Sequence, residues 1–181
     1  GALLEGPDGI ILNLIQLDST DEATRIGRMR KYFRKEGATR TGFSPVVTSA
    51  HGVRARDKAL PIYRDLLGLD VVIDEPLGPA DERTHWTFLQ GDHPYGKIAL
   101  GQALNYEVDD LTPFAVAPNI GYLAQGFEVA NMDAALAFCR DIAAEIYSPP
   151  DEIDLPGLGP TVSMLVRNPG SGALMQLMQK S

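Results

Sequence analysis

The sequence predicts an α+β fold in which tandem βαβββ modules curl into one open, cup-shaped mixed β-barrel with the helices outside. Three observations carry this. The pattern D-x-A-L-x-x-x-R-D occurs as Asp57, Ala59, Leu60, Arg64 and Asp65, and again 76 residues later as Asp133, Ala135, Leu136, Arg140 and Asp141. Each copy follows a short β-rich run, VVTSAHGV and YLAQGFEV, ending at Val53 and Val129 with the same offset. A turn feeding an apolar run then appears near both ends of the chain, GPDG before IILNLIQL and NPGSG before ALMQLMQ.

Residues 1–16 read as a leading strand. A strand this apolar needs a sheet to join, and its likeness to 176–179 makes it the expected tail of an upstream module. Residues 17–43 read as a surface helix and linker. Ser19 to Glu22 offers capping residues, six basic side chains follow, and Gly37 is the expected stop.

Residues 44–108 form the first module. It has strands over 44–53, 69–73, 83–90 and 97–104 and a helix over 57–67, where Ala59, Leu60, Tyr63, Leu66 and Leu67 recur at helical spacing. Pro61 is expected in the first helical turn, where a missing N–H costs least. Residues 109–181 form the second module. A helix over 132–144, capped by Asn131 or Asp133, lies among strands over 121–129, 146–148, 161–167 and 173–179, and 149–160 reads as a loop.

A net charge of −8 and a pI near 4.8 argue against nucleic acid and anionic membrane surfaces as partners, since both need a basic face. No apolar run is long enough to span a bilayer. A single cysteine, Cys139, cannot form an internal disulfide, so a reducing, cytoplasmic setting is expected. Its place in the second helix makes it a core residue. No phosphate-binding loop, nucleophile elbow or metal-spaced Cys/His motif occurs.

On the helices ALPIYRDLLGL and ALAFCRDIAAEI and the strand turns GPDGIILNLIQL and NPGSGALMQLMQ, the chain resembles the vicinal oxygen chelate superfamily: glyoxalases, bleomycin-resistance proteins and extradiol dioxygenases. The resemblance covers 44–181 as two modules and 1–16 as the end of another. It implies a cup holding a divalent metal on His or Gln of a module's first strand and Glu of its last. Carried over, those positions are Thr48, Ala124 and Gln176, with Ala99 or Gly101 closing the first module and Asn13 in the leading strand. A hydroxyl, a methyl group and a neutral amide do not make a catalytic metal set. The expectation is therefore no cofactor.

Alternation along strands places Thr48, Ala50 and Gly52 on one face, and Ala124, Gly126 and Glu128 on another. With Gln176 and the aromatic pair Trp86 and Phe88, these give the expected cup lining: Thr48, Ala50, Trp86, Phe88, Ala124, Gly126, Glu128 and Gln176. Small residues there leave volume for a ligand or simply let strands pack closely. The aromatic pair suits a planar ligand or serves as core under the helices. His51 is out of phase with Thr48 and is expected toward the helix layer. His85 belongs to the face opposite Trp86, and His93 to an exposed turn.

The expected function is binding of a small organic molecule, aromatic if the Trp86 and Phe88 pair faces it, by a homodimer or by pairing with an upstream module. The alternative is a lyase, isomerase or extradiol-type dioxygenase using Fe, Mn, Zn or Ni on unusual ligands, His51, His85, Glu128 and Gln176. A third possibility is the noncatalytic part of a larger enzyme of that kind.

Overall fold

The structure, a computed structural model, describes residues 2–6, 10–16, 18–31, 46–91, 97–116, 119 and 123–180. His93, the stop near Gly37 and the start of each module's first predicted strand lie outside them.

The chain opens with a hairpin, β1 (Ala2–Glu5) against β2 (Ile11–Leu14), followed by α1 (Arg25–Lys31). The first module runs β3 (Thr48–Gly52), α2 (Arg56–Pro61), β4 (Asp70–Leu77), β5 (Thr84–Gln90) and β6 (Lys97–Ala103). A single 3-10 turn at Thr112–Phe114 lies in the connection. The second module repeats the order as β7 (Ala124–Glu128), α3 (Met132–Asp141), β8 (Glu145–Leu155), β9 (Gly159–Arg167) and β10 (Leu174–Lys180). The sheets are β3-β6-β5-β4 and β7-β10-β9-β8, the same order element for element. In each, the first strand runs parallel to the last and all other pairs are antiparallel. The tandem βαβββ expectation therefore holds, as two four-stranded mixed sheets rather than a closed barrel.

The two modules share one core. Ala59, Ile62, Tyr63, Leu89 and Leu100 of the first pack in one cluster with Met132, Ala135, Cys139, Val166, Met175 and Leu177 of the second. Tyr63 meets Phe127 edge to face, with centroids 6.0 Å apart. Burial pushes the Cys139 thiol pKa up, which suits a packed helix residue. Asn131 caps α3 by accepting from the Ala134 N–H at 2.8 Å.

Three details differ from the expectations. Pro61 does not sit in the first turn of α2. It closes the α segment, and the chain widens into a π-helical turn over Ile62–Leu66, with Leu67 N–H donating to Ile62 O at 3.0 Å. The proline lacks the N–H that would bond the Asp57 carbonyl, so the regular α ladder ends at it and the wider turn follows. The left-handed exit from the helix is accordingly Gly68 (φ +67°) in the first module. In the second it is Ala143 (φ +56°), one residue earlier in the repeat.

Secondly, β8 runs straight through the predicted loop at Pro149 and Pro150, and β4 runs through Pro76. Both are edge strands, where a proline costs no ladder bond, and β8 absorbs its prolines with register shifts between Ile146 and Asp151. Thirdly, the predicted lone leading strand is one arm of a hairpin. Leu3, Leu4, Ile11 and Leu12 remain exposed in it, between 48% and 70%.

Candidate functional site

Register assigns each strand residue to a face. Leu89, Ile98 and Leu100 lie in the shared core, so β5 and β6 turn Trp86, Phe88, Lys97, Ala99 and Gly101 to the other side. Thr48, Ala50 and Gly52 of β3 pair with Lys97, Ala99 and Gly101, and so share that side. In the second module, Met175 and Leu177 are core, which turns Leu174, Gln176 and Met178 away from it. Their register partners Ala124, Gly126 and Glu128 turn the same way.

The two sheets meet at β3 and β7, where Gln125 Nε2 donates to Ser49 Oγ at 3.1 Å. Across this junction the floor reads Ile73, Phe88, Ala99, Ala50 on one side and Gly126, Gln176, Leu165 on the other. Ala50, Gly52 and Gly126 are exposed, and β3 and β7 have the same burial pattern residue by residue. The middle of the floor is therefore an open trough lined by small side chains.

Around it the side chains differ in what they offer. Phe88 is only 4% exposed and packs with Ile73 and Ala99, so it supplies structure rather than a free ring. Trp86 is half-buried and lies against Gly101, where a Cβ would stand 2.8 Å from its Cη2 atom. Thr48 Oγ1 is buried and has no hydrogen-bond partner among the described residues. Gln176 Nε2 donates to Ser163 Oγ at 2.9 Å, and no other hydrogen bond of this side chain is formed among the described residues. Glu128 carries an ion pair to Lys180 at 3.0 Å on an exposed edge. Ala124 is half-buried beside Leu174. Lys97, buried next to Thr48, is a residue that sequence reasoning missed. Burial pushes its amine down to about 8.

The histidines lie elsewhere. His51 faces the helix layer, 2.8 Å from Ser49 Oγ through Nε2, and burial holds its pKa below the usual range. His85 sits on the face opposite Trp86 with its Nε2 2.7 Å from Asp74 Oδ1 and 2.8 Å from Arg56 Nη1. Thr87 donates to the same Asp74 oxygen at 2.8 Å. Burial alone would raise the Asp74 carboxyl; bonds from Thr87, His85 and Arg56, with the Arg56 charge, outweigh it and hold its pKa low. His51 and His85 therefore face away from the trough while Gln176 and Glu128 face into it, and the four do not converge. No group of three His, Cys, Asp or Glu able to hold a metal ion occurs among the described residues.

The basic helix α1 is more than a linker. Its Arg28 Nη2 donates to Glu75 Oε1 at 2.6 Å, and Glu75 pairs with Trp86 in register, so α1 touches the trough side of β4. No described helix is long and apolar enough to cross a membrane.

Paired βαβββ modules around a shared trough define the vicinal oxygen chelate fold. No family model matches the chain, and no curated protein matches it. Solved structures do. A glyoxalase family protein from Bacillus cereus is 16% identical, with a TM-score of 0.59 over 76% of this chain and 93% of that one. A point variant of glyoxalase I from Zea mays is 16% identical with a TM-score of 0.54, over 76% of this chain and 46% of that one. The protein UcmS2 is 19% identical with a TM-score of 0.51, over 75% of this chain and 98% of that one. At these identities the likeness is one of fold, and the chain has the fold of the vicinal oxygen chelate superfamily.

Proposed function

We propose that the chain binds a small organic molecule with a planar, apolar part in the trough between its two sheets, without a divalent metal. The floor carries this reading: Ala50, Gly52 and Gly126 stay exposed where the two sheets meet. A packed core fills such positions; a ligand site leaves them open. Trp86 and Met178 supply apolar walls. The buried Thr48 hydroxyl and the amide oxygen of Gln176 supply polar contacts that a ligand would complete. Thr48, Ala124 and Gln176, at the positions where the family places metal ligands, do not fit a divalent cation. This supports binding over metal-dependent chemistry. The exposed apolar hairpin β1–β2 is the surface where we propose that a second copy or an upstream module pairs.

The test combines two measurements. Protein incubated with Fe²⁺, Mn²⁺, Zn²⁺ and Ni²⁺ and then desalted should retain no stoichiometric metal. Small aromatic compounds should give saturable thermal shifts that Ala50→Leu abolishes while leaving the fold intact. Near-stoichiometric metal that Gln176→Ala releases would overturn the metal-free reading and favour the enzyme alternative.

A further inference from the structure

A cleft of about 600 Å³ opens between the modules, apart from the trough floor. Its walls are the β3–α2 loop, the Thr112 turn, the end of α3 and the β9–β10 turn; none of Thr48, Ala50, Gly126 or Gln176 lines it. Among the described residues three cations do, Arg54, Lys58 and Arg167, in a chain of net charge −8, against one acidic lining residue, Glu145.

The cations are placed, not merely near. Arg167 Nη1 donates to Gly172 O at 3.0 Å, and Arg54 Nη2 lies 3.3 Å from where a Gly172 side chain would begin. Two guanidinium groups thus converge on one glycine. Asp110 holds Arg54 Nη1 at 2.6 Å, and the Tyr147 ring stacks 5.0 Å from the Arg167 guanidinium carbon. Glu145 stands 3.7 Å from Arg167 Nε. A guanidinium has five N–H donors, so each arginine is oriented with donors to spare. Lys58 forms no ion pair among the described residues.

The frame is rigid. Asn168, fully buried, donates to Ala59 O at 3.0 Å and accepts from Gly170 N–H at 2.9 Å. Gly170 O in turn accepts from Arg54 N–H and Ala55 N–H at 2.9 and 3.0 Å. The wall supplied by the second module is thereby bolted to the start of α2 in the first. Ile142 and Pro113 add apolar surface.

We infer that this cleft is a second binding site, for a small organic anion whose carboxylate or phosphate is held by Arg54, Lys58 and Arg167 while its carbon skeleton lies against Ile142 and Pro113. Size supports an organic ligand over a bare ion, since about 600 Å³ falls within the range of small-molecule pockets.

Citrate and phenyl phosphate, titrated at low salt by calorimetry, test it on the full chain. At least one should bind saturably, and Arg54→Ala/Lys58→Ala should weaken it tenfold or more. Lys180→Ala, which removes one positive charge far from the cleft lining, and Gln176→Ala in the trough should leave it unchanged. Lys58→Gln alone, an exposed change that spares the frame, should weaken it severalfold and stands in if the double variant fails to fold. No saturable binding of either anion would overturn the inference. So would equal weakening by Lys180→Ala, which would mark general charge attraction, or loss in Gln176→Ala alone, which would place the anion in the trough.

Discussion

The side-chain amide of Gln125 donates to the hydroxyl of Ser49 at 3.1 Å, and these two residues occupy the same position in the two repeats. The repeats therefore touch at equivalent points, β3 against β7, and the pair marks the axis about which the trough is built. Ser49 Oγ also lies 2.8 Å from His51 Nε2. Hydrogen bonds thus link Gln125, Ser49 and His51 in a chain across the junction.

That chain should be measurable as coupling. Ser49→Ala and Gln125→Ala are each expected to destabilise the protein by about 1 kcal/mol. The double variant should cost less than the sum by roughly 0.5–1 kcal/mol in a urea-denaturation cycle. Strict additivity would show that the contact does not form.

Gly170 is the tightest point between the modules. A Cβ there would stand 2.2 Å from Ala55 O and Ala59 N and 2.6 Å from the Ala59 Cβ. These are largely backbone atoms that cannot give way singly. Gly170→Ala is expected to cost about 3 kcal/mol, lowering Tm by roughly 6–12 °C. An unchanged Tm would mean that the β9–β10 turn does not dock on α2.

Lys97 should give the protein a pH dependence on the alkaline side. Its folded pKa, about 8, lies below the ordinary lysine value of 10.5, so the folded state binds fewer protons between these values. The stability of the wild type relative to Lys97→Met should thus rise with pH across that window, on the order of 3 kcal/mol in total, and be level below about 8. Denaturation midpoints from pH 7 to 11 for both proteins check this; parallel curves would refute it.

Asp74 should act at the opposite end. Its folded pKa is held below its unfolded value, so it contributes stability that is present above about pH 4 and lost as pH falls through the folded pKa. Asp74 is partly exposed, which limits the effect of Asp74→Asn near neutral pH to the order of 1 kcal/mol. The gap between wild type and variant should close as pH falls through the folded carboxyl pKa, as followed by denaturation at successive pH values below about 4.

In the trough, Gln176→Ala should weaken binding of any aromatic ligand found by thermal shift by about fivefold, the equivalent of one neutral hydrogen bond. Unaltered affinity would remove Gln176 from the site.

Much of the fold was legible because it repeats. Local periodicity and a constant offset are sequence properties, and they carried two βαβββ units, the helical spacing of Ala59 and Tyr63, the core place of Cys139, and the opposed faces of Thr48 and His51 and of Trp86 and His85. Strand alternation needs no knowledge of what lies opposite. Local signals misled where neighbours decide. Pro149 and Pro150 looked like a loop because the sequence does not say which strand is an edge; Pro61, by contrast, is already past one 3.6-residue turn from the expected start at 57, which lies one residue from the observed Arg56.

What the sequence by itself determined is the unit: its elements, their order and which way each side chain alternates. Only the tertiary structure decided what meets across units. It buried Phe88 while leaving Ala50 and Gly126 open, drew His85 into a cluster with Asp74 and Arg56, buried Lys97 beside Thr48, and brought Arg54 and Arg167 to one glycine. The reason is physical. Exposure, charge pairing and cavities depend on distances between residues far apart in the chain, and only packing of one module against the other sets those distances.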